Sequence, residues 1–303
     1  MTQAPLLGGA GLAAVLVYLC SLLLIGWYAN RSSSDNSARD YYLAGSSLGF
    51  VSLFFTLYAT QYSGNTLLAI PGKSYRNGFA GLAVMLAVMA IVLVYSLFAP
   101  RLSELARQHR FITVADFLRW RYRSDTLVRV VNLVLVITLI SYALGNFKAI
   151  GLLLESASGG AISFPLAILL LALIMGIYES LGGMRGVVWT DILQGVLLLF
   201  GCLLIFFAMA EHSAVDSVTR LPGLRRELVS FFSEQVQWLE FISLIVVIAF
   251  GAAVYPQAIQ RIYAARDSDV LRKSYRLMFF MPLLTTFPMI LVGMSVAEWM
   301  PEL

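Results

Sequence analysis

From Phe55 to Gly72 the chain reads Phe-Thr-Leu-Tyr-Ala-Thr-Gln-Tyr-Ser-Gly-Asn-Thr-Leu-Leu-Ala-Ile-Pro-Gly. This length suits a membrane-spanning helix, but polar and small residues fill its middle from Thr60 to Thr66. Polar groups in hydrocarbon are costly unless they face protein, a cavity or an ion. Glycine beside serine also favours a kink, and an unwound helix frees carbonyl groups that can coordinate a hard cation. The alternative is a packing face on which small residues bring neighbouring helices close together.

Similar apolar runs surround this stretch. Of the 303 residues, 59% are apolar and 13% are charged, against about 45–50% and about 25% in soluble domains. We therefore predict an all-α polytopic membrane protein. A short amphipathic surface helix is expected over 111–123, and a polar loop over 211–237. The eight predicted spans cover residues 8–28, 48–71, 78–99, 126–154, 162–181, 187–210, 238–258 and 276–298.

The basic residues indicate the orientation of these spans. Most Lys and Arg follow predicted spans 1, 3, 5 and 7, and cytoplasmic loops carry such an excess. We therefore predict a multi-pass protein of the plasma (inner) membrane, embedded in the lipid bilayer, with its N-terminus outside. The net charge of +4 reports topology on this interpretation, and no nucleic-acid partner is expected. Cys20 and Cys202 lie inside apolar runs and are interpreted as core residues.

Predicted span 7 carries a second interruption. Gly251 is followed by Tyr255 and Pro256, and the proline removes helix hydrogen bonds about two-thirds of the way along the span. Spans 2 and 7 are five apart. Interrupted helices at corresponding positions of two repeats are the best sequence indication of the binding site in an inverted-repeat transporter.

Two ionisable residues lie inside apolar runs. Asp191 enters span 6 just after the cytoplasmic turn, where it is either a functional carboxylate paired with Arg185 or a cation, or a helix cap. Lys148 lies about two turns from the outer end of span 4. It either extends outward to the membrane surface or points inward to meet a substrate carboxylate.

Three stretches resemble the sodium/solute symporter family, which includes sodium-coupled transporters of sugars, proline, pantothenate, iodide and monocarboxylates. They are Asp40-Tyr-Tyr-Leu-Ala-Gly-Ser-Ser-Leu-Gly49, Gly182-Gly-Met-Arg-Gly-Val-Val-Trp-Thr-Asp191 and Ile259-Gln-Arg261. The resemblance implies a LeuT-type fold of five plus five inverted helices preceded by an extra one. Span 1 then corresponds to the extra helix and spans 2–6 to the first repeat. The second repeat is expected to continue beyond Leu303, so the chain is expected to be part of a longer protein.

The same resemblance implies roles for individual residues. It assigns half of a sodium site to the main-chain carbonyl groups of Ala59 and Tyr62, and Asp191 to the cytoplasmic sodium exit. Lys148 falls near a substrate-lining position of span 4 in sugar-transporting relatives. The predicted substrate-binding residues, from the two interruptions and span 4, are Gln61, Ser63, Thr66, Lys148, Gly251, Ala252 and Tyr255.

The leading hypothesis is sodium-coupled symport of a small organic solute, a carboxylate or amino acid, by alternating access. Sodium is the coupling ion and the only metal expected, and no cofactor is predicted. The alternative is a transporter-like sensory input domain whose partner is a C-terminal signalling region such as a histidine kinase. An enzyme is disfavoured. His109 and His212 fall on opposite sides of the membrane, and the sequence has neither a His/Cys cluster with metal spacing nor a phosphate-binding loop.

Overall fold

The structure, a computed structural model, describes residues 8–31, 37–230 and 238–300. Within these ranges the chain is almost entirely helical, and its β-type pairing is one bridge between Leu48 and Ala265. The helices, in chain order, are α1 (Gly9–Arg31), α2 (Ala38–Leu43), α3 (Phe50–Gln61), α4 (Gly64–Asn77), α5 (Gly81–His109), α6 (Val114–Tyr122), α7 (Asp125–Ala157), α8 (Phe164–Ser230), α9 (Trp238–Ala253), α10 (Pro256–Ala264), α11 (Ser268–Leu284) and α12 (Thr286–Trp299).

The long helices follow the predicted apolar runs. Among the described residues, five helical stretches are long and apolar enough to cross a bilayer, and α9 with α10 would add a sixth as one bent span. These five are Gly9–Arg31, Gly81–His109, Asp125–Ala157, Phe164–Met209 and Ser268–Ala297. Predicted span 2 corresponds to α3 plus α4, and predicted span 8 to the end of α11 plus α12. The count of eight spans and the outside N-terminus stay predictions.

Predicted spans 5 and 6 both belong to α8, which changes direction at Gly183. This residue has φ 50° and ψ −152°, a conformation that only glycine adopts readily. A Cβ atom there would lie 2.7 Å from the carbonyl oxygen of Tyr41. At the neighbouring Gly182, a Cβ atom would lie 3.3 Å from the backbone of Gly26 in α1. The glycine pair therefore allows both the kink and the close packing of α1 against α8.

Two connections can be compared with the sequence analysis. The amphipathic helix expected over 111–123 is present as α6. The prediction of a polar loop is wrong for residues 211–230, which continue α8 to Ser230. Leu and Arg recur there and are good helix formers, so local propensity outweighs the polarity of the segment. Residues 231–237 lie outside the described residues.

The buried core joins α3, α5, α9, α10 and α11, and its fully buried side chains include Leu53, Tyr58, Val92, Ile262 and Leu271. Helix α7, in contrast, exposes a continuous series of aliphatic side chains, among them Leu133, Val134, Ile137, Ile140 and Leu144. An apolar surface of this extent is not stable in water, and it fits a helix that faces lipid.

We expect Gly183→Ala to destabilise the fold by about 1–3 kcal/mol, because the added Cβ meets the Tyr41 backbone and the conformation is strained. Thermal unfolding of the purified protein in detergent measures this. Gly176→Ala is the matched control, since Gly176 lies in the same helix and a Cβ there meets nothing within 4 Å. Equal unfolding midpoints for the two variants would contradict the structural role of Gly183.

Candidate functional site

The interruption predicted in span 2 is present. Helix α3 ends at Gln61, Tyr62 adopts extended backbone angles of φ −114° and ψ 136°, and α4 begins at Gly64. The Tyr62 N–H donates to the Tyr58 carbonyl oxygen at 2.9 Å and completes the last turn of α3. The two helices therefore meet at a non-helical pair, Tyr62 and Ser63.

The hydrogen bonds at this break release two carbonyl groups. In a continuous helix, the N–H groups of Ser63 and Thr66 would donate to the carbonyl oxygens of Ala59 and Tyr62. Here the Ser63 N–H donates to the Thr66 hydroxyl at 3.3 Å, and the Thr66 N–H donates to the Ser63 carbonyl oxygen at 2.8 Å. The Ala59 and Tyr62 oxygens thus lose their helical donors, and these are the two groups that the resemblance assigns to sodium.

The second predicted interruption is also present. Helix α9 ends at Ala253, Tyr255 is extended at φ −61° and ψ 132°, and Pro256 begins α10. The axes of α9 and α10 differ by 54°. The Tyr95 hydroxyl donates to the Ala252 carbonyl oxygen at 3.0 Å. This hydrogen bond gives a donor to one of the carbonyl groups in the last turn of α9.

A third break was not predicted. Helices α11 and α12 meet at Thr285, whose φ of −118° and ψ of −59° lie outside regular helix geometry. The Thr285 hydroxyl donates to the Met281 carbonyl oxygen at 2.8 Å, and Pro282 lies inside the last turn of α11. The apolar composition of this region favoured one continuous span and concealed the break.

A cavity of about 670 Å³ opens beside the two predicted breaks. Its walls come from α1, α3, α7, α8 and α10 together with the break after α3. Most of the lining surface is apolar, although nearly half of the lining residues carry a polar group, and sites for small organic molecules combine these two features. The polar or ionisable lining residues are Tyr18, Thr60, Tyr62, Ser63, Tyr142, Asn146, Tyr178, Glu179, Asp191, Gln194, Gln257 and Arg261.

A buried ionic cluster at the cavity wall links three helices. Asp191 of α8 accepts hydrogen bonds from the Thr56 hydroxyl of α3 and from Arg261 of α10, the latter at 3.1 Å. Arg261 also donates through Nε to the Thr56 hydroxyl at 3.1 Å and through its other terminal nitrogen to the Gln257 carbonyl oxygen at 3.1 Å. Thr56 is fully buried, and Asp191 and Arg261 are each 8% exposed. The opposite charges of the carboxylate and the guanidinium therefore compensate each other where little water is available to solvate them.

Some of the predicted site residues line the cavity. Ala59, Tyr62, Ser63 and Asp191 line it. Thr66 lies behind the break, where its hydroxyl accepts the Ser63 N–H, and Gln61 is half-buried outside the cavity lining.

The predicted residues of span 7 and span 4 lie outside the lining. Gly251 is exposed, Ala252 is half-buried against Tyr95, and Tyr255 packs edge-to-face on Tyr142 at 6.0 Å between ring centroids. Lys148 is exposed on α7, although its neighbours Asn146 and Phe147 line the cavity.

Several residues of this site are not predicted by the sequence. Thr56 lies in the apolar run before the polar block of span 2, and Arg261 follows span 7 like the other charges that indicate topology. Gln194 and Gln257 have no distinguishing sequence signal. The available signal for Arg261 was its place between Ile259 and Ile262 on a short helix, since charges flanked by apolar residues at helical spacing point toward a core.

The three stretches that carry the family resemblance meet at one end of the molecule. Asp40 accepts a hydrogen bond from Arg185 at 2.6 Å, and the Tyr41 hydroxyl donates to the Ser180 carbonyl oxygen at 3.0 Å. The Leu48 N–H donates to the Ala264 carbonyl oxygen at 3.1 Å, beside the third stretch. The 37–49 segment thus connects the kink of α8 to the end of α10.

The comparisons with known proteins agree with this geometry. The model of the sodium:solute symporter family matches residues 41–303, and the chain belongs to this family. It is 28% identical over 252 residues to the sodium/pantothenate symporter of Haemophilus influenzae, covering 81% of this chain and 51% of the relative. It is 27% identical over 286 residues to the osmoregulated proline transporter OpuE of Bacillus subtilis, covering 92% and 56%. Family membership confirms the resemblance to the sodium/solute symporter family.

A solved structure shows the same fold. The substrate-bound outward-open state of a Na⁺-coupled sialic acid symporter superposes with a TM-score of 0.83 at 19% identity, covering 97% of this chain and 63% of that chain. The chain is thus an all-α membrane protein with the LeuT-type fold that the resemblance implied. It spans about half to three-fifths of the length of the relatives that it matches.

Because Asp191 and Arg261 are buried together, we expect Arg261→Met to destabilise the protein by about 3–5 kcal/mol. Adding Asp191→Asn should recover part of this loss, since the uncompensated charge is then removed. The double-mutant cycle is measured by thermal unfolding in detergent. Additive effects of the two substitutions would contradict a coupled ion pair.

Proposed function

We propose that this chain forms part of a sodium-coupled symporter, and that it supplies one half of a sodium site and one side of a solute cavity. The main support for this proposal is a pair of carbonyl oxygens, on Ala59 and Tyr62, at the edge of the cavity. The N–H groups that would bond to these oxygens in a continuous helix bond to other groups. Sodium prefers hard oxygen ligands, and unwound transporter helices provide them. Sodium is the coupling ion, and no other cofactor takes part.

Sodium entry supplies the driving force in this proposal. Each charge that crosses the membrane gains about 2.3 kcal/mol per 100 mV of potential. The Asp191 carboxylate, proposed to lie on the sodium exit path, is held by Arg261 and Thr56. A sodium ion that binds Asp191 at Oδ2 would therefore compete for that oxygen with the Arg261 guanidinium and the Thr56 hydroxyl.

The proposed solute is a small organic molecule, a carboxylate or amino acid. Two relatives are named as transporters of pantothenate and of proline, and both compounds carry a carboxylate. Lys148 was predicted to meet such a group, but it is exposed outside the cavity lining. Arg261 lines the cavity but is bonded to Asp191, Thr56 and Gln257. We therefore propose that neutral groups, including Ser63 and Gln257, contribute most of the polar contacts.

Gln257 is well placed for such a contact. Its side-chain Oε1 is buried and has no hydrogen-bond partner among the described residues, although the residue lines the cavity. An unpaired buried acceptor is costly, and a bound solute that donates a hydrogen bond would satisfy it. The preferred solute accordingly carries an N–H or O–H group as well as its acid.

The proposed orientation keeps the N-terminus outside. The 37–49 segment, the kink of α8 and the end of α10 then face the cytoplasm, on the same side as α6 and its arginine residues. The alternative function, a sensory input domain with a signalling partner, has no support among the described residues and stays a prediction.

Thr66→Val tests the sodium site. Without the Thr66 hydroxyl, the Ser63 N–H can return to the Ala59 carbonyl oxygen and remove that oxygen from sodium. We expect the sodium concentration for half-maximal uptake to rise about tenfold, which corresponds to about 1.4 kcal/mol. The measurement uses radiolabelled proline and pantothenate with the full-length protein in proteoliposomes. Thr138→Val is the control, since that hydroxyl bonds only to its own exposed helix α7. An unchanged sodium dependence in Thr66→Val would contradict the proposed role of the break.

Gln257→Leu tests the solute contact. We expect a five- to thirtyfold loss of solute affinity, equivalent to about 1–2 kcal/mol for one hydrogen bond at a buried site, with the sodium dependence retained. Competition between the labelled solute and analogues that lack the donor group measures the effect. Gln257→Leu should bind the donor-bearing solute and the analogues without the donor equally well. A preserved preference for the donor-bearing solute would argue against the contact.

A further inference from the structure

A second concave site lies on the surface of the molecule, away from the cavity described above. It is an open groove of about 560 Å³ between the start of α3 and one face of α11. It shares no lining residue with the cavity described above. The lining residues are Phe50, Lys273, Arg276, Leu277 and Phe280.

Helical spacing places the four α11 residues on one face. Arg276, Leu277 and Phe280 follow Lys273 after three, four and seven residues, and all four are exposed. Ser274, Tyr275 and Met278, on the other side of the helix, are buried in the core. The exposed face carries its two cations nearer the start of the helix and its apolar side chains further along.

The two cations are not neutralised by nearby acids. On the same helix, Arg272 pairs with Asp269 at 3.0 Å, and just before it Arg266 pairs with Asp267 at 3.1 Å. The Val270 N–H donates to Asp267 and, together with Arg266, lowers the pKa of that carboxyl, so Asp267 stays ionised and engaged. Within the part of the chain that the structure describes, no ion pair involves Lys273 or Arg276.

We propose that this groove binds an anionic phospholipid of the surrounding bilayer. Helix α11 begins the apolar stretch Ser268–Ala297, so its first turns lie where a span enters the membrane. Lys273 and Arg276 would hold the phosphate, and Arg can do so with two parallel hydrogen bonds. Phe50, Leu277 and Phe280 would contact the upper acyl chain. A zwitterionic lipid gains less, because its net charge is zero.

The bound lipid would bridge two helices of the transport unit. Phe50 is the first residue of α3, and α3 leads directly to the break at Tyr62. The other four lining residues belong to α11. Occupancy of the groove therefore stabilises the packing of α3 on α11, independently of which solute the cavity accepts.

Native mass spectrometry of the detergent-purified protein, titrated with phosphatidylglycerol or phosphatidylcholine, tests this site. The wild-type protein should retain phosphatidylglycerol more strongly. In Lys273→Gln/Arg276→Gln, we expect the affinity of the protein for phosphatidylglycerol to fall about fivefold for each cation removed, the equivalent of about 1 kcal/mol each. Phe280→Ala should weaken both lipids, because it removes an acyl contact and no charge.

The matched control is Arg101→Gln/Arg129→Gln, which removes the same charge from exposed positions outside the groove. Phosphatidylglycerol retention should be unchanged in this variant. Thermal unfolding without added lipid checks that each variant is folded. The proposal is overturned if the control loses as much affinity as the groove variant, or if the wild-type protein does not distinguish the two lipids.

Discussion

Backbone carbonyl groups that lose their helical donors need another partner, because the bilayer interior offers no water. The structure meets this constraint with a cavity beside the first predicted break and a tyrosine hydroxyl at the second. Around Ala59 and Tyr62, the Ser63 and Thr66 amides bond within the break and leave two oxygens for an ion. At Ala252, the Tyr95 hydroxyl takes the place of a helical donor.

The Thr56–Asp191–Arg261 cluster explains how the broken helices stay in register. Thr56 precedes the first break and Arg261 follows the second, while Asp191 comes from α8, which packs against α3 and reaches α10 through this ion pair. A buried ion pair is a weak source of net stability but tolerates few alternative arrangements. The cluster therefore links α3, α8 and α10 through direct polar contacts.

The sequence predicted the breaks because Ser63–Gly64 and Pro256 interrupt apolar runs with residues that disfavour regular helix. It could not predict which polar groups share the cavity, since this depends on helix rotation and packing. Lys148 is exposed while Asn146, two residues earlier, lines the cavity. Arg261 resembled a loop charge because its partner lies 70 residues away. The break at Thr285 had only Pro282 as a local signal, and the apolar context outweighed it.

A high-resolution cryo-EM structure of the full-length protein in sodium, compared with one in potassium, tests the central claim most directly. The account predicts a cation within coordination distance of both the Ala59 and Tyr62 carbonyl oxygens in sodium, with the helix still interrupted at Tyr62 and Ser63. A continuous helix through residues 59–66, or a sodium ion held elsewhere while uptake depends on sodium, would contradict it.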